Sequence, residues 1–232
     1  MKRPEVPNAL IVVAKQPAPG RTKTRLSPPL RPEQASLLYE CFLNDTLDLI
    51  RQVEQVQPVV AFLPAGAEAY FQQLASDFDL IQQVGSDLGA RLDNAISSYL
   101  SRGYQRVVIM NSDSPTLPAT HLTEAFGSLE AGVDVVLGPC DDGGYYLIGV
   151  KQPIPRLLHE VQMSTPTVAV DTIALAVEEN LKVHLLQPWY DVDDAASLTR
   201  LAEEVKNGNV QTATHTRRFI LNHLTEDWMK EG

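Results

Sequence analysis

Short apolar runs alternate with longer segments of helical periodicity along most of the chain, and this alternation constrains the fold more than any other feature. Runs such as ALIVVA at 9–14 and RVVIM at 106–110 have the length and composition of buried strands. Segments such as 32–55 carry apolar side chains near one helical face. Strands separated by helices need crossover connections. The sequence therefore predicts an α/β fold, a three-layer α/β/α sandwich with a mostly parallel central sheet.

The same periodicity predicts the individual elements and one boundary. Predicted strands are 9–14, 58–63, 80–81, 106–110, 133–137, 145–150 and 182–186; predicted helices are 32–55, 68–75, 87–100, one opening at Leu117-Pro118, 165–179, 195–205 and 216–229. The one clear break, KNGN at 206–209, divides a main domain (1–206) from a helical extension (207–232). We expect the amphipathic tail helix to cover part of the core or to form an interface in a homodimer.

Composition excludes several classes of partner. The formal net charge of −10 argues against a nucleic-acid backbone or an anionic membrane surface as the main partner. The short apolar run near the N-terminus is too short for a signal segment or a membrane span. Cys41 and Cys140 are far apart and form no CxxC pair, which predicts free thiols and a cytoplasmic protein. A local basic cluster can still bind a small phosphorylated ligand.

Such a cluster follows the first predicted strand. Within eleven residues the loop carries Lys15, Arg21, Lys23 and Arg25, with Gly20 among them. Ligands of open α/β sheets bind beyond the carboxyl ends of the strands, where this loop must lie. Cationic side chains and backbone N–H groups near the glycine would neutralise a polyphosphate there. The segment matches neither GxxxxGK[ST] nor GxGxxG, and a solvated basic turn is the alternative; in either case we expect the loop to be exposed.

Carboxylates follow two other predicted strands. Asp113 comes directly after the strand at 106–110, and Asp191 and Asp193 come after the last strand. Parallel strands end at one edge of a sheet, so these groups can meet there and bind Mg²⁺ or Mn²⁺, which take oxygen ligands. The alternative for Asp113 is a turn or capping role, and Asp194 is expected to cap the following helix.

The segment GPCDDGGYY at 138–146 joins two strands and predicts an acceptor pocket. Its candidates for acceptor binding are Asp141, Gly143, Gly144 and Tyr145, and Asp142 joins Asp113 as a catalytic candidate. Paired glycines permit close approach of a ligand, although Asp-Gly is also typical of a tight turn.

The segment 84–91 carries a weaker signal. Asp87 and Arg91 are candidates for phosphate binding, with a helix N-terminus as the alternative reading. The five histidines show no metal-ligand spacing such as HExxH.

Taken in order, KxPxPGRxKTRL, DLGxR, SDSPTLP, GPxDDGGYYLIG and a late DVD resemble the DUF2064 family. Its members are GT-A-type proteins, described as nucleotide-diphospho-sugar transferase-like or glycosyltransferase-like. The family is similar to phospholactate guanylyltransferase and, more distantly, to molybdenum cofactor guanylyltransferase. The resemblance spans roughly residues 8–205.

This resemblance implies site roles and a fold of the GT-A, or nucleotide-diphospho-sugar transferase, type. Lys23 and Arg25 would meet the nucleotide phosphates, Asp113 would bind the metal, and Asp193 fits the second ligand better than Asp191. The chain differs from the family at Asn111, where glycine is expected, and at Met163, where tryptophan is frequent.

The activity expected is metal-dependent transfer from a nucleotide or nucleotide-sugar donor to a small-molecule acceptor. The family description favours glycosyl transfer. The alternatives are a nucleotidyltransferase of the phospholactate guanylyltransferase kind, and a nucleotide-binding module without catalysis.

Overall fold

The structure is a computed structural model that describes residues 4–208, 210 and 212–224. Seven strands form one sheet in the order β3-β2-β1-β4-β6-β5-β7. They are β1 (Asn8–Lys15), β2 (Val56–Leu63), β3 (Asp79–Gln82), β4 (Arg106–Met110), β5 (Val135–Pro139), β6 (Tyr145–Val150) and β7 (Val183–Leu185). The helices are α1 (Pro32–Arg51), α2 (Glu68–Leu74), α3 (Leu88–Ser101), α4 (Ala119–Glu130), α5 (Pro155–His159), α6 (Val168–Glu178), α7 (Ala195–Lys206) and α8 (Thr214–His223).

The α/β class and the mostly parallel sheet are confirmed. All neighbouring strands pair in parallel except β6, which runs antiparallel to both β4 and β5. Only a short turn joins β5 to β6, whereas a parallel return would need a crossover connection of a dozen or more residues. The short connection therefore makes β6 antiparallel to β5, although most of the sheet is parallel.

Alternate side chains of the interior strand β1 point into two separate cores, which makes the fold three-layered. Leu10 and Val12 belong to one core cluster, and Ala9 and Ile11 to the other. Helices α1, α2, α4, α7 and α8 pack over the first cluster, and α3, α5 and α6 over the second. The strand periodicity of two determines this division.

Some element boundaries differ from the prediction. Helix α1 ends at Arg51 rather than at 55, and α5 was not predicted because it has only five residues. The tail helix begins at Thr214, two residues before the predicted start, and ends at His223. The predicted continuation to Met229, including Trp228, lies outside the described residues. No described helix has both the length and the apolar character that crossing a membrane requires.

The tail helix α8 packs on α1 through apolar and polar contacts. Phe219 and Ile220 are buried in the core that α1 also lines. The buried Asp45 of α1 accepts hydrogen bonds from the backbone N–H groups of His215 (2.9 Å) and Thr216 (2.8 Å). These are orphan donors of the first helical turn, so a side chain from another helix caps α8.

Strands β1, β2, β3 and β4 are parallel neighbours, so their carboxyl ends lie at the same edge of the sheet. The loops that follow these ends gather there. The basic loop after β1 faces the segment after β4 across this edge.

Candidate functional site

A cavity of about 450 Å³ opens at the carboxyl ends of β1 to β4. Its lining joins five cations with two carboxylates, those of Asp113 and Asp193. The cations are Lys15, Arg21, Lys23, Arg25 and Arg91. The structure therefore brings together most of the residues predicted to bind phosphate and both residues predicted to bind metal.

Lys23 lies at the centre of this arrangement. Its Nζ is 2.7 Å from Asp113 Oδ1 and 2.5 Å from Asp193 Oδ1, and it donates a hydrogen bond to the carbonyl of Val192 at 2.8 Å. Three oxygens thus surround one ammonium group. The Lys23 side chain is only 6% exposed, so the expectation that the whole loop is exposed is wrong for this residue.

Burial and charge act in opposite directions on Lys23. Burial lowers the pKa of its ammonium, but the carboxylates of Asp113 and Asp193 raise it further, and the net pKa lies above its ordinary value. The group is therefore charged at neutral pH. The rings of Tyr39 and Phe42 also lie 6.0 and 5.7 Å from Nζ, within the range of cation–π attraction.

Local backbone geometry directs Lys23 inward. Its backbone is left-handed (φ 49°, ψ 44°), and the short 3₁₀ helix 24–26 follows it and buries Leu26. Upstream, Ala18 N donates to Thr22 Oγ1 (3.2 Å), while that hydroxyl donates to the Ala18 carbonyl (3.1 Å). Hydrogen bonds within the loop hold it in one shape and aim the lysine at the sheet edge.

Backbone hydrogen bonds tie the two acidic segments together. Val192 N donates to the Asp113 carbonyl at 2.8 Å, and Asp193 N donates to Ser197 Oγ at 3.0 Å. Asn111 Oδ1 accepts a hydrogen bond from Asp113 N at 3.2 Å, so the residue that replaces the family's glycine orders this turn. These bonds place Asp113 and Asp193 close together despite their separation in sequence.

A hydrogen-bonded chain below the cavity supports the same turn. Lys15 N donates to the Tyr39 hydroxyl (3.0 Å), and Ser112 Oγ donates to the Val13 carbonyl (3.0 Å). Because the one hydroxyl hydrogen of Ser112 is used in this bond, the Tyr39 hydroxyl is the donor to Ser112 Oγ, also at 3.0 Å. Burial, followed by the charge of Asp113, raises the pKa of Tyr39 to about 12, which keeps this donor protonated.

A second acidic cluster lies beside Asp193. The ligand atoms of Cys140, Asp142 and Asp191 lie within 4.8 Å of one another. Burial raises the pKa of Asp191 to about 7, and the negative charge of the nearby Asp193 is the next largest cause. Burial also raises the pKa of the Cys140 thiol. Cys140 is therefore a neutral thiol at pH 7.

The remaining predicted site residues lie outside the cavity lining. Gly20 borders a smaller neighbouring pocket. Asp87 Oδ1 accepts the Ala90 N–H at 2.9 Å and caps α3, the alternative that its sequence context offered. Asp141 pairs with Arg200 at 2.7 Å rather than facing the cavity. The prediction that Asp194 caps α7 is confirmed, since it accepts the Ser197 N–H.

The glycine-rich turn is held by backbone constraints. Gly143 has φ +89°, and a Cβ there would lie 1.8 Å from the Pro166 carbonyl oxygen. Asp142 Oδ1 accepts the Gly144 N–H at 2.8 Å, and the Tyr145 hydroxyl donates to Met163 Sδ at 3.4 Å. These contacts order the turn, and its predicted role in acceptor binding stays a prediction.

Tyr39 and Gln83 also line the cavity and are among the lining residues that were not predicted from the sequence. Tyr39 belongs to the buried face of α1, where its spacing indicates only core packing. Gln83 directly follows β3, a strand whose weak apolar signal did not mark its carboxyl end. The sequence signal that could have identified Gln83 is its position directly after a strand.

A family model described as "Uncharacterized protein conserved in bacteria (DUF2064)" matches residues 46–165, just over half of the chain. A search of curated proteins found no significant match. A solved structure from Desulfovibrio desulfuricans G20, provisionally named a nucleotide-diphospho-sugar transferase, has 28% identity and a TM-score of 0.85. That match covers 94% of this chain and 98% of the other.

More distant structures share the fold. One is CMP:2-keto-3-deoxy-manno-octonic acid synthetase complexed with CTP, with 10% identity, a TM-score of 0.56 and coverage of 87% of this chain and 99% of the other. Another is glucosyl-3-phosphoglycerate synthase from Mycobacterium tuberculosis in complex with Mn²⁺, UDP and glucosyl-3-phosphoglycerate, with 10% identity and a TM-score of 0.54. It covers 89% of this chain and 81% of the other. The chain therefore has a nucleotide-diphospho-sugar transferase fold, shared by nucleotidyl- and glycosyltransferases.

Proposed function

This chain belongs to the DUF2064 family, and we propose that it is a metal-dependent transferase that binds a nucleotide-activated donor in the cavity beyond β1 and β4. The observation that carries the proposal is the convergence of Asp113, Asp193 and the Val192 carbonyl on a single cation. Basic side chains line the same cavity and suit a polyphosphate.

The donor atoms fit a divalent cation. Carboxylate and carbonyl oxygens are the ligands that Mg²⁺ and Mn²⁺ prefer, and the Lys23 ammonium is a stand-in cation among them. Asp113 and Asp193 would hold the ion, which would supply charge neutralisation for the donor phosphates. Arg21 and Arg25 would bind the phosphate oxygens from the loop after β1.

Lys23 would then have two partners in turn. Without nucleotide it neutralises the two carboxylates, which would otherwise repel each other at this distance. With a divalent cation and a nucleotide bound, its ammonium would turn to the phosphates, where its charge stabilises the transferred group. Metal and nucleotide binding are therefore expected to be coupled.

Glycosyl transfer from a nucleotide-sugar is the first candidate reaction, which the name of the Desulfovibrio protein supports. Nucleotidyl transfer from a nucleoside triphosphate is the second. The cations of the lining favour it, because Lys15, Arg21, Lys23, Arg25 and Arg91 together supply more positive charge than a diphosphate with a metal ion requires.

The test measures nucleotide affinity by calorimetry with and without Mn²⁺ in the wild type, Asp113→Asn and Asp193→Asn. The wild type should bind a nucleoside triphosphate or nucleotide-sugar about tenfold or more tightly with Mn²⁺, and by linkage Mn²⁺ affinity must rise by the same factor. Each variant should lose most of this coupling.

The control is Asp48→Asn, an exposed position of α1 paired with Arg51, which should keep the coupling. Equal nucleotide affinity with and without Mn²⁺ in the wild type would contradict metal dependence. Binding without turnover for any acceptor would favour the nucleotide-binding module instead.

A further inference from the structure

A buried thiol faces two carboxylates next to the cavity. Cys140 directly follows β5, and the residue is only 7% exposed. Its Sγ lies within 4.8 Å of a carboxylate oxygen of Asp142 and of one of Asp191. The thiol takes part in no hydrogen bond with any residue in the part of the chain that the structure describes. A buried polar group without a partner in the protein indicates a partner from outside it.

The two carboxylates also lack a counter-ion, unlike the acidic residue next to them. Asp193 pairs with Lys23. Within the described ranges, neither Asp142 nor Asp191 forms an ion pair. Asp191 is partly buried, and its carboxylate accepts no hydrogen bond from a described residue either. A bound cation would therefore satisfy all three groups at once.

Backbone contacts hold the three residues in place. Cys140 N donates to the Gly144 carbonyl at 2.9 Å and closes the turn between β5 and β6. Cys140 also pairs in parallel with Trp189, which precedes Asp191 by two residues. Asp142 Oδ1 accepts the Gly144 N–H at 2.8 Å, which leaves its Oδ2 free. The backbone thus preorganises the cluster without occupying the atoms that could bind an ion.

A thiol and two carboxylates select a different metal from the one expected in the cavity. Mg²⁺ and Mn²⁺ prefer oxygen ligands, whereas Zn²⁺ takes sulfur together with carboxylate oxygen. Zn–S and Zn–O bonds are about 2.3 and 2.0 Å long, so small side-chain rotations would bring these ligand atoms around one ion. None of the three residues belongs to the lining that contains Asp113 and Asp193.

We propose that Cys140, Asp142 and Asp191 bind a Zn²⁺ ion, at a site separate from that of the donor-bound metal. Zn²⁺ displaces the thiol proton, which passes to the solvent, so the ligands are one thiolate and two carboxylates. Three protein ligands leave the fourth tetrahedral position to water or another small ligand. The ion links the turn between β5 and β6 to the segment that follows β7, and it requires no nucleotide.

The experiment uses Co²⁺ as a spectroscopic substitute for Zn²⁺, because a cobalt–thiolate bond absorbs in the near ultraviolet. The reduced wild-type protein is titrated with Co²⁺ alone, without nucleotide. The thiolate absorption should increase up to one equivalent of Co²⁺. Added Zn²⁺ should abolish it, because a thiolate ligand favours Zn²⁺, whereas excess Mg²⁺ should leave it unchanged.

Three variants assign the ligands. Cys140→Ser should lose the absorption and bind Zn²⁺ at least about tenfold more weakly, since even the loss of a residue that only orients a ligand costs about 10–100-fold. Asp142→Asn should weaken Zn²⁺ binding to a similar extent, and this position is exposed, so the fold should tolerate the change. The matched control is Cys41→Ser, which removes the other cysteine of the chain, on α1, and should keep both properties.

The inference is overturned if Co²⁺ gives no thiolate absorption in the wild type, a result that does not depend on whether any variant folds. Absorption that persists in Cys140→Ser, or that disappears in Cys41→Ser, would also overturn it, as would unchanged Zn²⁺ affinity in Asp142→Asn. Because the titration contains no nucleotide, each of these failures would leave the proposed function standing.

Discussion

Lys23 shows how one residue can serve two opposite electrostatic needs. A phosphate site requires a cation, and a metal site requires carboxylates without a competing cation. The left-handed loop conformation places the Lys23 ammonium between Asp113 and Asp193, so in the absence of ligands each charge neutralises the others. These carboxylates are 30% and 43% exposed, which leaves them accessible to an incoming ion.

Replacing Lys23 by methionine is therefore expected to lower stability and nucleotide affinity but to raise the affinity for Mn²⁺. Without metal the melting temperature should fall, because two nearby carboxylates lose their counter-ion. Nucleotide affinity should weaken by about 1.5–3 kcal/mol, the range of a charge-assisted hydrogen bond. Mn²⁺ binding without nucleotide should become tighter than in the wild type, because the competing ammonium is gone. Paramagnetic resonance of free Mn²⁺ measures this directly.

Lys151→Met is the control for Lys23→Met. Lys151 pairs with Asp134 in a partly exposed ion pair, so its loss should not change Mn²⁺ binding. Mn²⁺ affinity that is equal or weaker in Lys23→Met would contradict the competition between lysine and metal.

At the scale of elements, the docking of α8 depends on a cap from outside the helix. Its N-cap residue, Ala213, has no side-chain oxygen and adopts φ 56°. Asp45 of α1 supplies the missing acceptors for His215 and Thr216. Burial raises the pKa of Asp45, while these N–H bonds partly oppose that effect. One carboxylate thus links the tail helix α8 to α1.

Asp45→Ala should release the start of α8 and lower the free energy of unfolding by about 1–3 kcal/mol, as expected when buried donors lose their acceptor. Hydrogen exchange at the amides of His215 and Thr216 should become faster, and exchange within the sheet should change much less. Glu33→Ala, at an exposed position in the first turn of α1, serves as the control. Unchanged protection of both amides would show that apolar packing alone holds the helix.

At the scale of the whole molecule, a buried histidine links stability to pH. His121 packs against the rings of Tyr146 and Trp189, at centroid distances of 5.9 and 5.4 Å. Burial lowers its pKa below the ordinary value of 6.5. As the pH falls towards and below 6.5, the histidine of the unfolded chain therefore takes up a proton more readily than the buried His121 of the folded protein. The contribution of His121 to stability is complete above the unfolded pKa and is lost as the pH falls through the folded pKa.

The melting temperature of the wild type should consequently fall between pH 7 and pH 5 by more than that of His121→Phe, which cannot take up the proton. Thermal unfolding at several pH values in this range measures the difference. His223→Gln, an exposed position on α8, should follow the wild type. Parallel pH profiles for the wild type and His121→Phe would rule out this linkage.

Local patterns in the sequence were sufficient to predict the layers of this fold and the edge at which the site lies. A strand such as β4 is apolar from Val107 to Met110 because both its faces are covered there, and this composition is visible without any coordinates. Asp113, Asp193 and Lys23 each follow a predicted strand, so their common location follows from the parallel arrangement. The resemblance to the DUF2064 family, carried by motifs within these segments, is confirmed by the family model.

Only the tertiary structure decided what each of these groups contacts. The burial of Lys23, the cap that Asp45 gives to α8 and the acidic cluster around Cys140 all depend on partners distant in sequence. The antiparallel direction of β6 likewise depends on its neighbours in the sheet. The periodicity of apolar residues indicates which face of an element is covered, because buried positions repeat with the period of the helix or strand. A hydrogen bond between distant segments has no such repeat, so the sequence alone does not reveal it.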